Sequence, residues 1–421
     1  MIMELFKKKK PKGKGARFFF FIFAIFIVVL NFFGKFDLGC GFTSFNVAFA
    51  SSSEAEELEQ QLNEEVKNQL ENLDFSAIEG VVEKLSTDAK KLFAGTSFAE
   101  KLQYVISGDY AENSQGFFSA VLSIFWENFK KFLPIIASII CIAILDGMVA
   151  NLKPITNGKS IGNIVHFVTY GIIIVFLGTT LVEIIRLATT TLTGIKGMFD
   201  GIFPILLTLL TAVGGSVSVG IYQPAIALLS NAFVSMTTYI LLPMFIFSMI
   251  FSIVGNLSNS VKLDKFVSFL QGSFKWTIGL CFTIFLGFVS IQGIMAGAVD
   301  GLSIKTAKYA IKSYIPIVGG YVSDGMSIIM ASSMLIKNAV GGVGLFLLLS
   351  SVVSPVLNLV LFMLSLKFMA GVIEPIGNKK IANFAGELSK SLSLLVALIV
   401  AVSFMYFIIT GLIMCSANLV I

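Results

Sequence analysis

Apolar and polar positions along this chain change in long blocks. After a lysine-rich head, residues 18–30 read FFFFIFAIFIVVL, an unbroken apolar run. Residues 51–90 then turn acidic, with Leu58, Leu62, Val66, Leu70 and Leu73 recurring at three- and four-residue steps. That spacing predicts an amphipathic helix. A second helical stretch is predicted over Phe98–Ile106, after Gly95. GFFSAVLSIFWENFKKFLP (116–134), with Trp126, Lys130 and Lys131, suits a membrane interface. Apolar spans follow near 133–150 and 162–186, and Lys153 and Lys159 between them suit a cytoplasmic turn. RLATTTLTGIKGMFDG (186–201) reads as a linker. Two long apolar helices then carry central prolines, Pro243 and Pro355, and final spans fall near 275–298 and 391–415.

Composition fixes the solvent. The 421 residues are 56% hydrophobic and 13% charged, with a mean hydropathy of +0.89. One soluble core could not bury that much apolar surface. Several runs reach the roughly 20 residues a spanning helix needs, and none shows the alternation of a closed barrel. The predicted fold is an all-α polytopic membrane protein of six to eight spans.

The net charge of +5 is a local feature. Residues 1–17 hold Lys7, Lys8, Lys9, Lys10, Lys12, Lys14 and Arg17 against Glu4 alone, so the remainder is close to neutral. No nucleic-acid face is implied. A basic head before an apolar run is the pattern of an export signal, and AFA (48–50) follows as a small-x-small site. A cleaved signal peptide and an uncleaved signal anchor both fit. Asp37 stands where a lipoprotein site before Cys40 needs an apolar residue. Residues after 50 are expected outside the cytoplasm. Their acidic helix is either a solvated surface or, along Leu58, Leu62, Val66 and Leu70, a docking face for a partner.

The cysteines Cys40, Cys141, Cys281 and Cys415 form no pairing framework and no metal spacing. His166, the lone histidine, opens an apolar span and is read as an interface residue. No HExxH, GxSxG, P-loop or GxGD string is present. The expectation is a protein without enzymatic activity, cofactor or metal. Charges inside the apolar region are few: Asp146, Glu183, Arg186, Asp324, Lys367 and Glu374. Charge at depth is expensive, so each is a candidate. Glu183 and Arg186, three apart, are expected to pair.

One string occurs twice. Residues 213–220 read VGGSVSVG and 318–325 read VGGYVSDG. A Lys-bearing segment ending in Pro-Ile precedes each, through Pro204 and Pro316. Asn231-Ala232 and Asn338-Ala339 follow, then the proline-bearing helices, then basic amphipathic linkers at 262–274 and 380–392. This order predicts a duplicated core. Each VGG string reads as a helix break or re-entrant tip, making Gly214, Gly215, Gly319, Gly320, Asp324, Pro204 and Pro316 candidate pore or break residues. If each string crosses fully, the two units are inverted; if it dips and returns, they are parallel. The predicted divisions are 1–50 (export signal or anchor), 51–132 (extracytoplasmic helical region), 133–194 (two spans), 195–298 (repeat 1) and 299–421 (repeat 2).

DGLSIKTAKYAIKSYIPIVGGYVSDG (300–325) resembles the signature region of the stage III sporulation protein AE family. FPILLTLLTAVGG (203–215) and the long last spans fit the same family. The resemblance implies a multi-pass component of a channel complex in the mother-cell membrane around the forespore. It implies as partners the other stage III sporulation A-operon proteins and stage II sporulation protein Q, beside the lipid bilayer. No catalytic residue carries over. The alternative reading is a permease subunit moving a small solute through the duplicated core, with the VGG residues converging on a cavity.

Overall fold

In the computed structural model the described residues are 53–93, 97–107, 114–151, 159–257, 263–314, 319–376 and 379–416. The expected export signal, with AFA and Cys40, lies outside them. The chain divides into residues 1–59 and a compact unit from Gln60 to Ile421.

Every regular element among the described residues is helical. Four short helices come first: α1 (Ser53–Glu71), α2 (Ser76–Glu83), α3 (Thr87–Phe93) and α4 (Phe98–Ser107). Long helices follow: α5 (Ser114–Asn151), α6 (Lys159–Ala212) and α7 (Ser216–Met236). A π-helix (Thr237–Leu241) joins α7 to α8 (Leu242–Leu257). Then come α9 (Asp264–Tyr314), α10 (Gly319–Ile376) and α11 (Lys379–Cys415). Six stretches among the described residues are long and apolar enough to cross a membrane, with α7 through α8 counting as one.

Side-chain contacts set the direction of each helix. On α10 and α11, Lys337 meets Ser416, Gly341 abuts Met414, and the Ser389 hydroxyl donates to the Met363 carbonyl. Rising numbers on one match falling numbers on the other, so the two are antiparallel. The same holds for α7–α8 against α11, through Tyr222–Ser416, Ser230–Tyr406 and Ser252–Glu387. It also holds for α7–α8 against α9, through Phe233–Phe285 and Phe251–Phe266. Parallel neighbours are α5 with α10 (Phe117–Phe346, Phe132–Phe362), α6 with α11 (Tyr170–Phe384, Phe199–Tyr406) and α9 with α11 (Gln271–Ser391, Phe282–Phe404). The bundle therefore alternates down-up-down-up-down-up.

α11 is the central helix. From Ser391 to Cys415 it carries no charged residue and no exposed one, and Leu392, Leu394, Leu395, Ile399, Ile409 and Ile413 are buried. A helix without a polar face needs neighbours around its circumference. Glycines permit the closest approaches. A Cβ on Gly341 would overlap the Met414 thioether, and one on Gly344 would come within 2.9 Å of Ile202 Cδ1.

The helices run through boundaries that the sequence pattern suggested. The interfacial segment 116–134 and the first span form one helix, α5, with Pro134 inside it. The expected linker 186–201 lies within α6. Its threonines read as loop formers, yet Thr189 and Thr191 donate to carbonyls four residues back, and Ala188, Thr191, Leu192 and Ile195 are buried. Side-chain bonding to the preceding turn keeps such a run helical. The basic linkers extend α9 and α11 rather than interrupting them: residues 264–274 and 380–392 are helical. The divisions placed at 132/133, 194/195 and 298/299 each fall inside a helix.

Candidate functional site

The first VGG string is a helix stop. Gly214 has φ 97°, a left-handed conformation that favours glycine. Gly214 N–H donates to the Thr211 carbonyl at 2.9 Å, and Gly215 N–H donates to Leu210 at 2.8 Å. These two bonds are the Schellman pattern, which satisfies the last carbonyls of α6. Gly215 is tight as well, since a Cβ there would lie 2.7 Å from Leu210 Cδ1 and 3.0 Å from its carbonyl oxygen. α6 thus ends and α7 begins within three residues.

The second string plays another part. Gly319 and Gly320 are the first two residues of α10, and a Cβ on Gly320 would meet nothing within 4 Å. Pro316 lies outside the described residues. Asp324 is exposed, 4.0 Å from the Lys312 ammonium at the end of α9. Residues 300–314 and 319–325 therefore form the two arms of a helical hairpin, and its outward surface carries Lys305, Tyr309 and Lys312.

Register gives the heights of the two strings. Lys337 is level with Ser416, so Gly319 lies eighteen residues beyond that level, about 27 Å along an α-helix. Tyr222 is also level with Ser416, so Gly215 lies seven residues beyond it, about 10 Å. The described glycines of both strings sit at one end of the bundle at heights that differ by about 17 Å, so they are not level with one another. Pro204 is exposed within α6, and its carbonyl accepts from the Thr208 hydroxyl.

The amphipathic stripe of α1 is used within the chain. Val66 is buried, Leu62 and Leu70 are half-buried, and the side chain of Leu58 is outside the described set. Gln69 donates to the Ser332 hydroxyl at 3.0 Å and accepts from Ser333 at 2.8 Å, which ties α1 to α10. Lower down, Ser354 donates to Asp88 at 2.9 Å, and Ile78 Cγ1 of α2 would lie 3.2 Å from a Cβ on Gly201 of α6. Lys101 of α4 is buried between the rings of Phe93 and Phe346, 4.8 and 5.0 Å from their centroids. Burial pushes its pKa below the usual lysine range. At the start of α2 the Asp74 carboxylate accepts from Ser76, which lowers the Asp74 pKa.

Three polar features escaped the sequence reading. Lys337 is fully buried and donates to the Ser416 carbonyl at 2.5 Å, so its charge lies at the C-terminal end of α11. A cation there interacts favourably with the negative end of the helix dipole. Glu387, near the start of α11, accepts from the Ser252 hydroxyl at 2.8 Å and the Asn256 amide at 2.9 Å. The third is a seam. Ser218, Tyr222, Ser230, Thr237, Ser248 and Ser252 are buried along α7, the π-helix and α8, and Tyr222, Ser230 and Ser252 hydrogen-bond to Ser416, Tyr406 and Glu387 of α11. Ser248 Oγ has no hydrogen-bond partner among the described residues. The seam's spacings of four, seven, eight and eleven residues, close to whole helical turns, were available in the sequence. They were hidden because small hydroxyl residues read as neutral within an apolar run.

The π-helix has a local cause. Pro243 has no N–H, so the ladder cannot continue in its ordinary register. Leu242 N–H donates to Thr237, five residues back. Pro355, the matching proline, lies inside α10, which is continuous. Glu183 and Arg186 also depart from expectation: no ion pair within 4.0 Å joins them, and both are exposed on α6. Lys196 and Asp200, one turn apart on the same helix, do pair. Asp146 is buried on α5, whereas Lys367 and Glu374 are exposed on the last turns of α10.

Comparison with known proteins adds an independent line. A family model described as Stage III sporulation protein AE matches residues 96–417. The Stage III sporulation protein AE of Bacillus subtilis (strain 168) is 25% identical over 318 residues, covering 76% of this chain and 80% of that protein. No solved structure matches.

Proposed function

The chain belongs to the stage III sporulation protein AE family, and from that premise we propose that it is a membrane component of the mother-cell/forespore channel complex. In this reading it sits in the mother-cell membrane around the forespore, and the complex, a feeding-tube or secretion-like assembly, sustains late forespore gene expression. Residues 51–132 face the intermembrane side. The partners are the other stage III sporulation A-operon proteins and stage II sporulation protein Q.

The observation that carries the reading is the shared placement of two regions. The α9–α10 hairpin, which contains the family-like string 300–325, extends past the end of α11, and α1 packs against it through Gln69. Lysine placement supports an extracytoplasmic position for that end. The opposite end carries Lys159, Lys265, Lys379 and Lys380, with Lys153 and Lys262 in the sequence that joins those helices, against Lys305, Lys308 and Lys312 on the hairpin. Positive residues favour the cytoplasmic side. The two VGG-bearing units then run parallel. Each reads as a descending helix, a lysine-bearing turn and an ascending helix, in keeping with a duplicated core.

Deleting residues 54–73 tests the proposal. Loss of co-purification with the other A-operon proteins is expected. Assembly at the wild-type level without that segment would refute it.

A permease role is the second reading. It is favoured by the hydroxyl seam between α7–α8 and α11, which follows the bundle from Ser218 to Ser252. Alanine substitution at Ser230, Thr237 and Ser248 would then abolish solute passage while leaving assembly intact.

A further inference from the structure

We propose that the exposed face of α6 around Glu183 and Arg186 is a seam on which a second copy of this chain docks. The face is coherent: Val175, Thr179, Val182, Glu183, Arg186, Thr190 and Thr193 are exposed along one side of the helix. It lies within a stretch whose hydropathy suits a membrane crossing. Two opposite charges stand on it without an ion pair between them. A charge presented to lipid is costly, and charged side chains on spanning helices generally face protein or a watery cavity.

The rest of the face is built for close helix contact. The Thr179, Thr189 and Thr193 hydroxyls donate to their own preceding turns at 2.9–3.1 Å, which leaves small side chains with acceptor lone pairs facing outward. Small and hydroxyl-bearing residues are the usual contact residues of membrane helix pairs. Gly178, on the flank, would have open space around a Cβ. Beside the face a cleft of about 30 Å³ is lined by Thr189 and Thr193 of α6 and by Thr237 and Thr238 of the π-helix.

Charge complementarity selects a second copy as the occupant. In a parallel pair related by a two-fold axis along the membrane normal, each contact is made twice. Glu183 and Arg186 are three residues apart, about 4.5 Å along the axis, and about 60° apart around the helix. They flank a line through Thr179 and Thr190. Rotation by 180° then sets Glu183 of each copy against Arg186 of the other, giving two reciprocal ion pairs. No other charge on the face between Thr179 and Thr193 is needed.

The full chain reconstituted in nanodiscs, with mass measured by native mass spectrometry, tests this. A dimer is expected for the wild type. Glu183→Arg and Arg186→Glu singly place like charges together and should raise the apparent dissociation constant by more than about tenfold. The double exchange restores opposite charges and should restore the dimer. With the four native cysteines changed to alanine, Thr190→Cys should form an intermolecular disulfide in native membranes with both charges intact. That arm does not depend on how well the charge variants fold. A monomeric wild type, single variants that dimerise as well as wild type, or absence of the Thr190→Cys cross-link would overturn the proposal. Any of these outcomes leaves the two charges solvated at a membrane interface.

Discussion

Alanine at matched positions of the two VGG strings should have opposite effects. Gly215 and Gly320 occupy the same place in VGGSVSVG and VGGYVSDG. A Cβ on Gly215 would lie 2.7 Å from Leu210 Cδ1, 2.8 Å from its Cγ and 3.0 Å from its backbone oxygen. The side chain can yield, but the carbonyl is fixed by its bond to Gly215 N–H. Overpacking of that kind costs about 1–3 kcal/mol. Gly320 is exposed in the first turn of α10 with nothing within 4 Å of a Cβ. Alanine there restricts the unfolded chain and should stabilise by up to about 0.5–1 kcal/mol. Gly214→Ala joins the costly side, because an L-residue at φ 97° loses about 1–2 kcal/mol. Thermal unfolding of each variant in detergent, read as loss of the monodisperse peak on size exclusion, resolves these differences. At about 2 °C per kcal/mol, Gly215→Ala should lower Tm by roughly 2–6 °C, while Gly320→Ala leaves it unchanged or raised. Equal losses at 215 and 320 would refute the distinction between a Schellman stop and a helix start.

Three further outcomes follow from contacts elsewhere. Gly341→Ala should destabilise through its clash with Met414, and adding Met414→Ala should recover part of the loss, a coupling that a double-mutant cycle of melts measures. Lys101 has a folded pKa held below its unfolded value, so the unfolded state binds more protons between the two values and stability should rise with pH through that window. Melts of Lys101→Met across the pH range just below the usual lysine value should lack this rise. Glu387→Leu strands the Ser252 and Asn256 donors and should cost about 1–3 kcal/mol, whereas Glu387→Gln keeps an acceptor and should cost less in the same assay.

The helical class and the long apolar runs were legible because lipid demands about 20 apolar residues per crossing. So were α1 and α4, whose periodicity is plain. What the pattern misjudged were places where local composition and tertiary packing disagree. The threonine run at 189–193 looks like a linker, but its hydroxyls bond back to the helix and its inner face packs inside the bundle. The twin strings look equivalent, but Gly214 alone shows a positive φ among the described glycines. Glu183 and Arg186 sit at pairing distance in sequence, but their side chains do not meet. Lys337 and Glu387 gave no local signal, since what makes each notable is a partner 79 and 131–135 residues away.

Sidedness is the claim on which the rest depends: six crossings among the described residues, with the 300–325 hairpin and α1 at one end and Lys265 at the other. Single cysteines at Asn63, Tyr309 and Lys265, in a chain whose native cysteines are changed to alanine, report this directly when labelled with a membrane-impermeant maleimide. The account predicts that 63 and 309 react in intact protoplasts and that 265 reacts only after permeabilisation. Labelling of 265 from outside, or of 63 and 309 from opposite faces, would contradict it.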